Sequence, residues 1–232
     1  MDLRSVSEII HRGGTVLYTA RCLEFLTKEG QEQGAQCCRD NGIDALVVIG
    51  GDGSFKGARA LANLGIPCIG IPGTIDNDIA CSEYTIGYDT AMTTAVEMVD
   101  KLRDTTQSHD RCSVVEVMGR HAGYIALNVG IATGASATLI PERPYDLERD
   151  ILDRMSFTQK TGKKHFIIVK AEGVSGTAQD LANEIQARTG IDSRATVLGH
   201  VQRGGAPTLR DRVTASQMGY QAVYLLERGI FN

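Results

Sequence analysis

Residues 45–54 read Ala-Leu-Val-Val-Ile-Gly-Gly-Asp-Gly-Ser, and residues 68–78 read Cys-Ile-Gly-Ile-Pro-Gly-Thr-Ile-Asp-Asn-Asp. Each stretch opens on a short apolar run, Ala45–Ile49 and Cys68–Ile71, of the length and composition of a strand buried on both faces. Each run then breaks into a loop, so both loops are expected just beyond strand C-terminal ends. In an open parallel sheet, ligands bind at that edge. The first loop offers glycines and a carboxylate, and the second offers hydroxyl and carboxylate oxygens. Together they predict a phosphate-and-metal site facing an acid/base site.

Outward from these loops, apolar runs alternate with amphipathic stretches. Further strands are expected at Ser113–Met118, Ala137–Ile140, His165–Val169 and Thr196–Val201. Helices are expected at Ser54–Leu64, Asp89–Arg103, His121–Thr133, Leu147–Gln159, Thr177–Arg188 and Arg212–Leu226, with Asp89 as an N-cap. Such alternation predicts an α/β fold with a doubly wound, mainly parallel sheet. Both ends read as cut. No strand leads in before residue 9, and the chain stops at Asn232 where a further strand is due, so a fragment or a gene shortened at both ends is expected.

Composition narrows the partners. The 232 residues carry a net charge of −4, 42% hydrophobic and 22% charged residues, as in an ordinary soluble domain. That balance argues against nucleic acid or an anionic membrane as the main partner. No apolar run reaches the ~20 residues of a membrane span, and the first residues lack the apolar core of a secretory signal. A cytoplasmic protein is expected. Six cysteines and five histidines show no zinc-ligand spacing.

Four motifs bear chemistry. Gly50-Gly51-Asp52-Gly53-Ser54 precedes a helix, so free backbone N–H groups and the positive end of its dipole suit a phosphate chain. Asp52 there suits Mg²⁺, which takes carboxylate, water and substrate phosphate oxygens. Read alone, the loop is also a tight turn capped by Ser54. Thr74-Ile75-Asp76-Asn77-Asp78 places two carboxylates two residues apart, one able to take a proton from an attacking hydroxyl; alone it is also an Asx-rich turn. Met118-Gly119-Arg120 ends a strand, and a cation ahead of a helix N-terminus is electrostatically misplaced unless it meets an anion. His200 and Arg203, with Arg194 upstream, suggest a clamp for a phosphate monoester. Glu172 suits either a sugar hydroxyl or a helix cap.

These motifs in this order resemble the bacterial-type 6-phosphofructokinase family, nearly end to end. The matching stretches are Ile9–Cys22 (IIHRGGTVLYTARC), Val47–Ser54, Ile71–Asp78, Val114–Gly123 and Thr196–Gly205. The resemblance implies two α/β domains, with ATP on one and fructose 6-phosphate between them, in a homotetramer. It implies a nucleotide domain over 1–87 and 201–232 and a sugar-phosphate and effector domain over 88–200. Asp76 matches the base that deprotonates the sugar 1-hydroxyl, with Thr74, Ile75 and Asp78 beside it. Asp52 matches the Mg²⁺ ligand, and Arg21, Cys22, Gly51, Gly53 and Ser54 match ATP contacts. Met118, Gly119, Arg120, Glu172, Arg194, His200, Val201, Gln202 and Arg203 match the sugar-phosphate site, and Arg120 would also steady the transferring phosphoryl group. Arg111 and Arg194 match arginines that reach a neighbouring subunit's site.

In this family, pyrophosphate-using members generally place Asp at the position of Gly53 and Lys at that of Gly73, so glycine at both implies ATP. The family's N-terminal strand with its own phosphate loop is absent from the chain. Of the effector residues, Arg103 and Lys163 remain, Ser136 stands for a usual Glu and Thr161 for a basic residue. Leu26 stands where many members carry a cation near ATP. An inactive chain that binds sugar phosphate or joins intact subunits is the main alternative expectation, and a pyrophosphate-dependent enzyme is a further one. From the glycine loop alone, a lipid or NAD kinase also stands.

Overall fold

The two apolar runs quoted above form neighbouring parallel strands, β1 (Leu46–Gly50) and β2 (Cys68–Pro72), with Gly50 opposite Pro72. The computed structural model describes residues 2 and 4–231. Its residues form two compact units: Met1–Thr74, Asp78–Gly87 and Ala206–Asn232 make the first, and Ile75–Asn77 with Tyr88–Gly205 make the second.

In the first unit, helix α2 (Asp52–Asn63) connects β1 to β2, and helix α1 (Lys28–Asp40) precedes them. Ala35, Cys38 and Ile66 form a small core with Leu46, Leu61 and Leu64 packed against it. Helix α1 has no counterpart among the sequence expectations. Its sequence, KEGQEQGAQCCRD, buries only Ala35 and Cys38, so it carries no apolar stripe; Thr27 starts it by accepting a hydrogen bond from the Gly30 N–H at 3.0 Å. Helix α7 (Leu209–Glu227) packs on β2. It is tied in by Asp211, 1% exposed, which accepts from the Tyr84 hydroxyl at 2.5 Å and the Gly87 N–H at 2.8 Å.

The second unit is built on a four-stranded parallel sheet of order β4-β5-β3-β6, from β3 (Cys112–Val117), β4 (Ala137–Leu139), β5 (Phe166–Ala171) and β6 (Ser193–Val197). Helices α3 (Tyr88–Ser108), α4 (Tyr124–Ala132) and α6 (Ala178–Thr189) pack against it, and a π-helical turn (Glu148–Leu152) runs into α5 (Asp153–Gln159). Val114, Val115, Ile167 and Ile168 are at most 1% exposed, which is why β3 and β5 read as predominantly apolar runs. One buried cation interrupts them: Lys170, 1% exposed, pairs with Glu116 at 2.9 Å across the β3–β5 register.

The α/β class with parallel sheets agrees with the sequence expectation, with local corrections. The last strand ends at Val197, not Val201, because Gly199 turns the backbone left-handed (φ 54°) and Gly199–Arg203 wind into a 3-10 turn. Asp89 lies inside the first turn of α3, which begins at Tyr88. The N-cap of α2 is Gly51, without a side-chain cap, so Ser54 does not cap that helix. Thr177 and Asp180 form the capping box of α6, so Glu172 is not needed as its cap.

Candidate active site

The end-to-end register of β1 and β2 brings both of their loops to one edge of the first unit's sheet. Gly51 and Thr74 meet there: a Cβ on Gly51 would stand 3.4 Å from the Thr74 Cβ. Asp52 and Gly53 open α2, whose first N–H groups have no intrahelical partners. The Asp52 carboxylate lies 2.7 Å from the Lys56 ammonium one turn on, with both side chains solvated. A Cβ on Gly53 would meet nothing within 4 Å, whereas one on Gly73 would stand 3.0 Å from the Ile49 Cγ2 and 3.5 Å from the Gly50 amide nitrogen. A carboxylate at position 53 would therefore project into open space, and a side chain at position 73 would press on the exposed Ile49. Arg21 and Cys22 lie on an exposed, irregular segment ahead of α1.

Thr74 and Asp78 belong to the first unit, while Ile75, Asp76 and Asn77 group with the second. Asn77 takes a left-handed backbone (φ 52°), which Asn tolerates better than most residues. That single residue turns the chain between the two carboxylates.

In the second unit, the turn beyond β3 is held by side chains. The Met118 N–H donates to the Gln202 Oε1 at 2.9 Å, and the Glu172 Oε1 accepts from the Gly119 N–H at 3.1 Å and the Arg120 N–H at 2.6 Å. Arg120 sits at φ 56° and Gly119 at φ 145°, so three consecutive amides of a left-handed turn are fastened to two side chains. The arrangement explains how a cation is tolerated there: Arg120 is exposed and lies ahead of α4, outside the helix. Gln202 is buried and its Nε2 lacks a partner, while His200, Val201 and Arg203 of the same 3-10 turn are exposed. Met118, Gly119, Arg120, Glu172 and Gln202 thus form one connected group.

Within one copy of the chain, Arg194 lies on a different element from His200 and Arg203. It sits near the start of β6, opposite Ser113, and its Nε lies 3.1 Å from the Asp192 Oδ1. Arg111, just before β3, donates from its Nε to the Asp192 Oδ2 at 2.6 Å. The shifted boundaries of β6 are the physical reason: Arg194 is the second residue of the strand, whereas His200 and Arg203 lie past its C-terminal end, beyond the left-handed turn at Gly199. Partial desolvation would raise the Asp192 pKa, but the Arg111 hydrogen bond and the charges of both arginines hold it below the usual carboxylate value. In the sequence, the one signal for Asp192 is its place two residues before Arg194.

Of the expected effector residues, Arg103 donates to the Thr133 carbonyl at the C-terminus of α4, and Lys163 is half-buried. His165 nearby has its pKa lowered by burial and by the charges of Lys163 and Arg103. No group of three or more His, Cys, Asp or Glu side chains among the described residues is arranged to hold a metal. The half-exposed Asp52 carboxylate at the glycine loop fits a metal that arrives on a ligand's phosphates and keeps its waters, which is the habit of Mg²⁺. No helix among the described residues is long and apolar enough to cross a membrane.

Comparison with known proteins follows the same lines. The phosphofructokinase family model matches residues 1–226. The chain is 56% identical over 229 residues to the ATP-dependent 6-phosphofructokinase 1 of Clostridium perfringens and equally to the ATP-dependent 6-phosphofructokinase of Halalkalibacterium halodurans. Each match covers 99% of this chain and 71% of the relative. A crystal structure of Pichia pastoris phosphofructokinase in the T-state superposes with a TM-score of 0.90 at 36% identity, covering 97% of this chain and 26% of that one. Agreement of the fold, and of more than half the residues over 229 positions, has one reading: the chain belongs to the phosphofructokinase family.

Proposed function

We propose that the chain is an ATP-dependent 6-phosphofructokinase, transferring the γ-phosphoryl group of ATP to the 1-hydroxyl of fructose 6-phosphate. The observation that carries the reading is the turn beyond β3: Glu172 accepts from the Gly119 and Arg120 amides and Gln202 from the Met118 amide, so five residues matching the family's sugar-phosphate contacts form one connected group. Asp76 takes the proton of the 1-hydroxyl, and the resulting oxygen attacks the γ-phosphorus as the bond to the ADP oxygen breaks. Amides of Gly51, Gly53 and Ser54 at the start of α2 receive the nucleotide's phosphates, with Arg21 and Cys22 as further nucleotide contacts. Thr74 and Asp78 flank the base and orient it. Arg120 offsets the charge spread over the transferring group, where most of the catalysis of such reactions resides. Glu172 keeps Oε2 for a sugar hydroxyl, while His200 and Arg203 receive the 6-phosphate. Mg²⁺ bound at Asp52 would neutralise phosphate charge.

On this reading the first unit carries the nucleotide contacts and the second the sugar-phosphate and effector contacts, including Arg103 and Lys163. The protein acts in the cytoplasm as a homotetramer. Glycine at 53 and 73 supports ATP over pyrophosphate, because pyrophosphate-using members of the family generally carry Asp and Lys at these positions. The test is direct. Incubation with Mg-ATP and fructose 6-phosphate should yield the 1,6-bisphosphate, pyrophosphate should not replace ATP, and Asp76→Asn should lower turnover ~10²–10⁴-fold. Unchanged turnover in that variant would remove Asp76 from the role of base.

A second reading, sugar-phosphate binding without turnover, draws on the first unit. Its sheet has two strands among the described residues, and Val47 and Ile49 of β1 are 38% and 59% exposed. Calorimetric binding of fructose 6-phosphate with no bisphosphate formed would favour it.

A further inference from the structure

Arg111, Asp192 and Arg194 make a charged group that the stability of the fold does not require. Their side chains are 32%, 39% and 67% exposed, and ion pairs so open to water contribute little to stability. The backbone beneath them is nevertheless tightly held. The Cys112 N–H donates to the Asp192 carbonyl at 3.0 Å, and the Phe166 N–H to the Arg111 carbonyl at 2.9 Å, so the starts of β3, β5 and β6 converge on these residues. The Ser193 N–H is anchored in turn by the Gln186 Oε1 of α6 at 3.0 Å.

The carboxylate is shared in a specific way. Oδ2 of Asp192 takes the Nε of Arg111, and Oδ1 faces the Nε of Arg194. Each guanidinium is therefore engaged along its inner edge, and its two terminal amino groups are left for an anion. A fork of this kind suits the planar, paired hydrogen bonds that phosphate accepts. One negative charge between two positive ones suppresses their mutual repulsion and still leaves the group net cationic.

The group lies at the wrong end of its strands to serve the turn fastened by Glu172 and Gln202 in the same chain. Arg111 precedes β3 and Met118 follows it, and six residues of strand separate them by about 20 Å. We propose that Asp192 is a positioning residue, which sets the guanidiniums of Arg111 and Arg194 to receive the phosphate monoester of a substrate bound to a second copy of the chain. The ligand, and the action of Arg111 and Arg194 on a neighbouring copy, rest on the phosphofructokinase reading; what the geometry above adds is the role of Asp192.

Steady-state kinetics and calorimetric titration with fructose 6-phosphate test it, using the full chain with Asp192→Asn and Asp192→Glu. Asp192→Asn should weaken fructose 6-phosphate binding and raise its KM about tenfold, as expected for the loss of a charge-assisted contact. kcat, the KM for ATP and the melting temperature should stay near wild type, and Asp192→Glu should recover part of the loss. Mixing Asp192→Asn chains with Asp76→Asn chains should restore low-KM activity, because each copy supplies what the other lacks. Unchanged sugar-phosphate affinity in Asp192→Asn overturns the inference, as does a loss matched by a fall in melting temperature. Failure of the mixture to recover low KM overturns action on a second copy. A wild-type chain that binds the sugar phosphate without turnover sinks the kinase reading alone, since titration still reads Asp192.

Discussion

Arg120 shows how a single residue's backbone can carry the site. Its left-handed conformation costs a non-glycine residue about 1–3 kcal/mol, and hydrogen bonds to a charged acceptor such as Glu172 are of comparable size, about 1.5–3 kcal/mol each. The turn persists because Glu172 accepts from two of its amides at once. The local sequence admits Glu172 as a contact to a sugar hydroxyl or as a helix cap. Its hold on the turn could not be read there, since 52 residues separate it from Arg120 and only strand pairing joins them. His165 supports a prediction at the same scale. Burial first, then the charges of Lys163 and Arg103, depress its pKa below the ordinary 6.5, with Asp110 opposing. The unfolded chain then binds the extra proton more readily, so stability is full above pH 6.5 and falls as pH drops through the window below it. Melting temperatures measured from pH 7 down to 5 should decline, and His165→Asn should flatten that part of the curve. A slope unaltered in the variant would assign the effect elsewhere.

Elements with an apolar signature were legible. Strands β1, β2, β3 and β5 were found within two residues of their ends because burial on both faces leaves continuous hydrophobic runs. Helix α1 was missed because it buries two side chains only. The expected strand Thr196–Val201 overlaps the first three residues of the 3-10 turn, Gly199–Val201, because periodicity cannot see the positive φ of Gly199. Helix α4 carries a test of packing. A Cβ on Gly130 would overlap the Thr138 Oγ1 of β4 and stand 3.0 Å from its Cβ. Intrinsic propensity alone would favour Gly130→Ala by about 0.5–1 kcal/mol, but crowding of this kind typically costs about 1–3 kcal/mol. Urea unfolding should therefore find the variant less stable; a gain would mean that β4 yields freely.

At the scale of the whole molecule, the two units differ in how much they bury. The second has β3 and β5 almost wholly enclosed, whereas the first keeps a small core around Ala35, Cys38 and Ile66 and exposes Ile49. Hydrogen exchange should find amides of β3 and β5 protected at least about a hundredfold more than those of β1, because local opening follows buried contact. Equal protection would mean that the first unit is stabilised beyond what its side chains suggest. The sequence by itself determined the α/β class, the loops at strand ends and the family, because burial and glycine chemistry are written locally. Only the tertiary structure decided that Glu172 and Gln202 fasten the Arg120 turn, and that Arg194 parts from Arg203 to share Asp192 with Arg111. Those partnerships follow from strand register, which pairs residues far apart in the chain and leaves no trace in the local pattern.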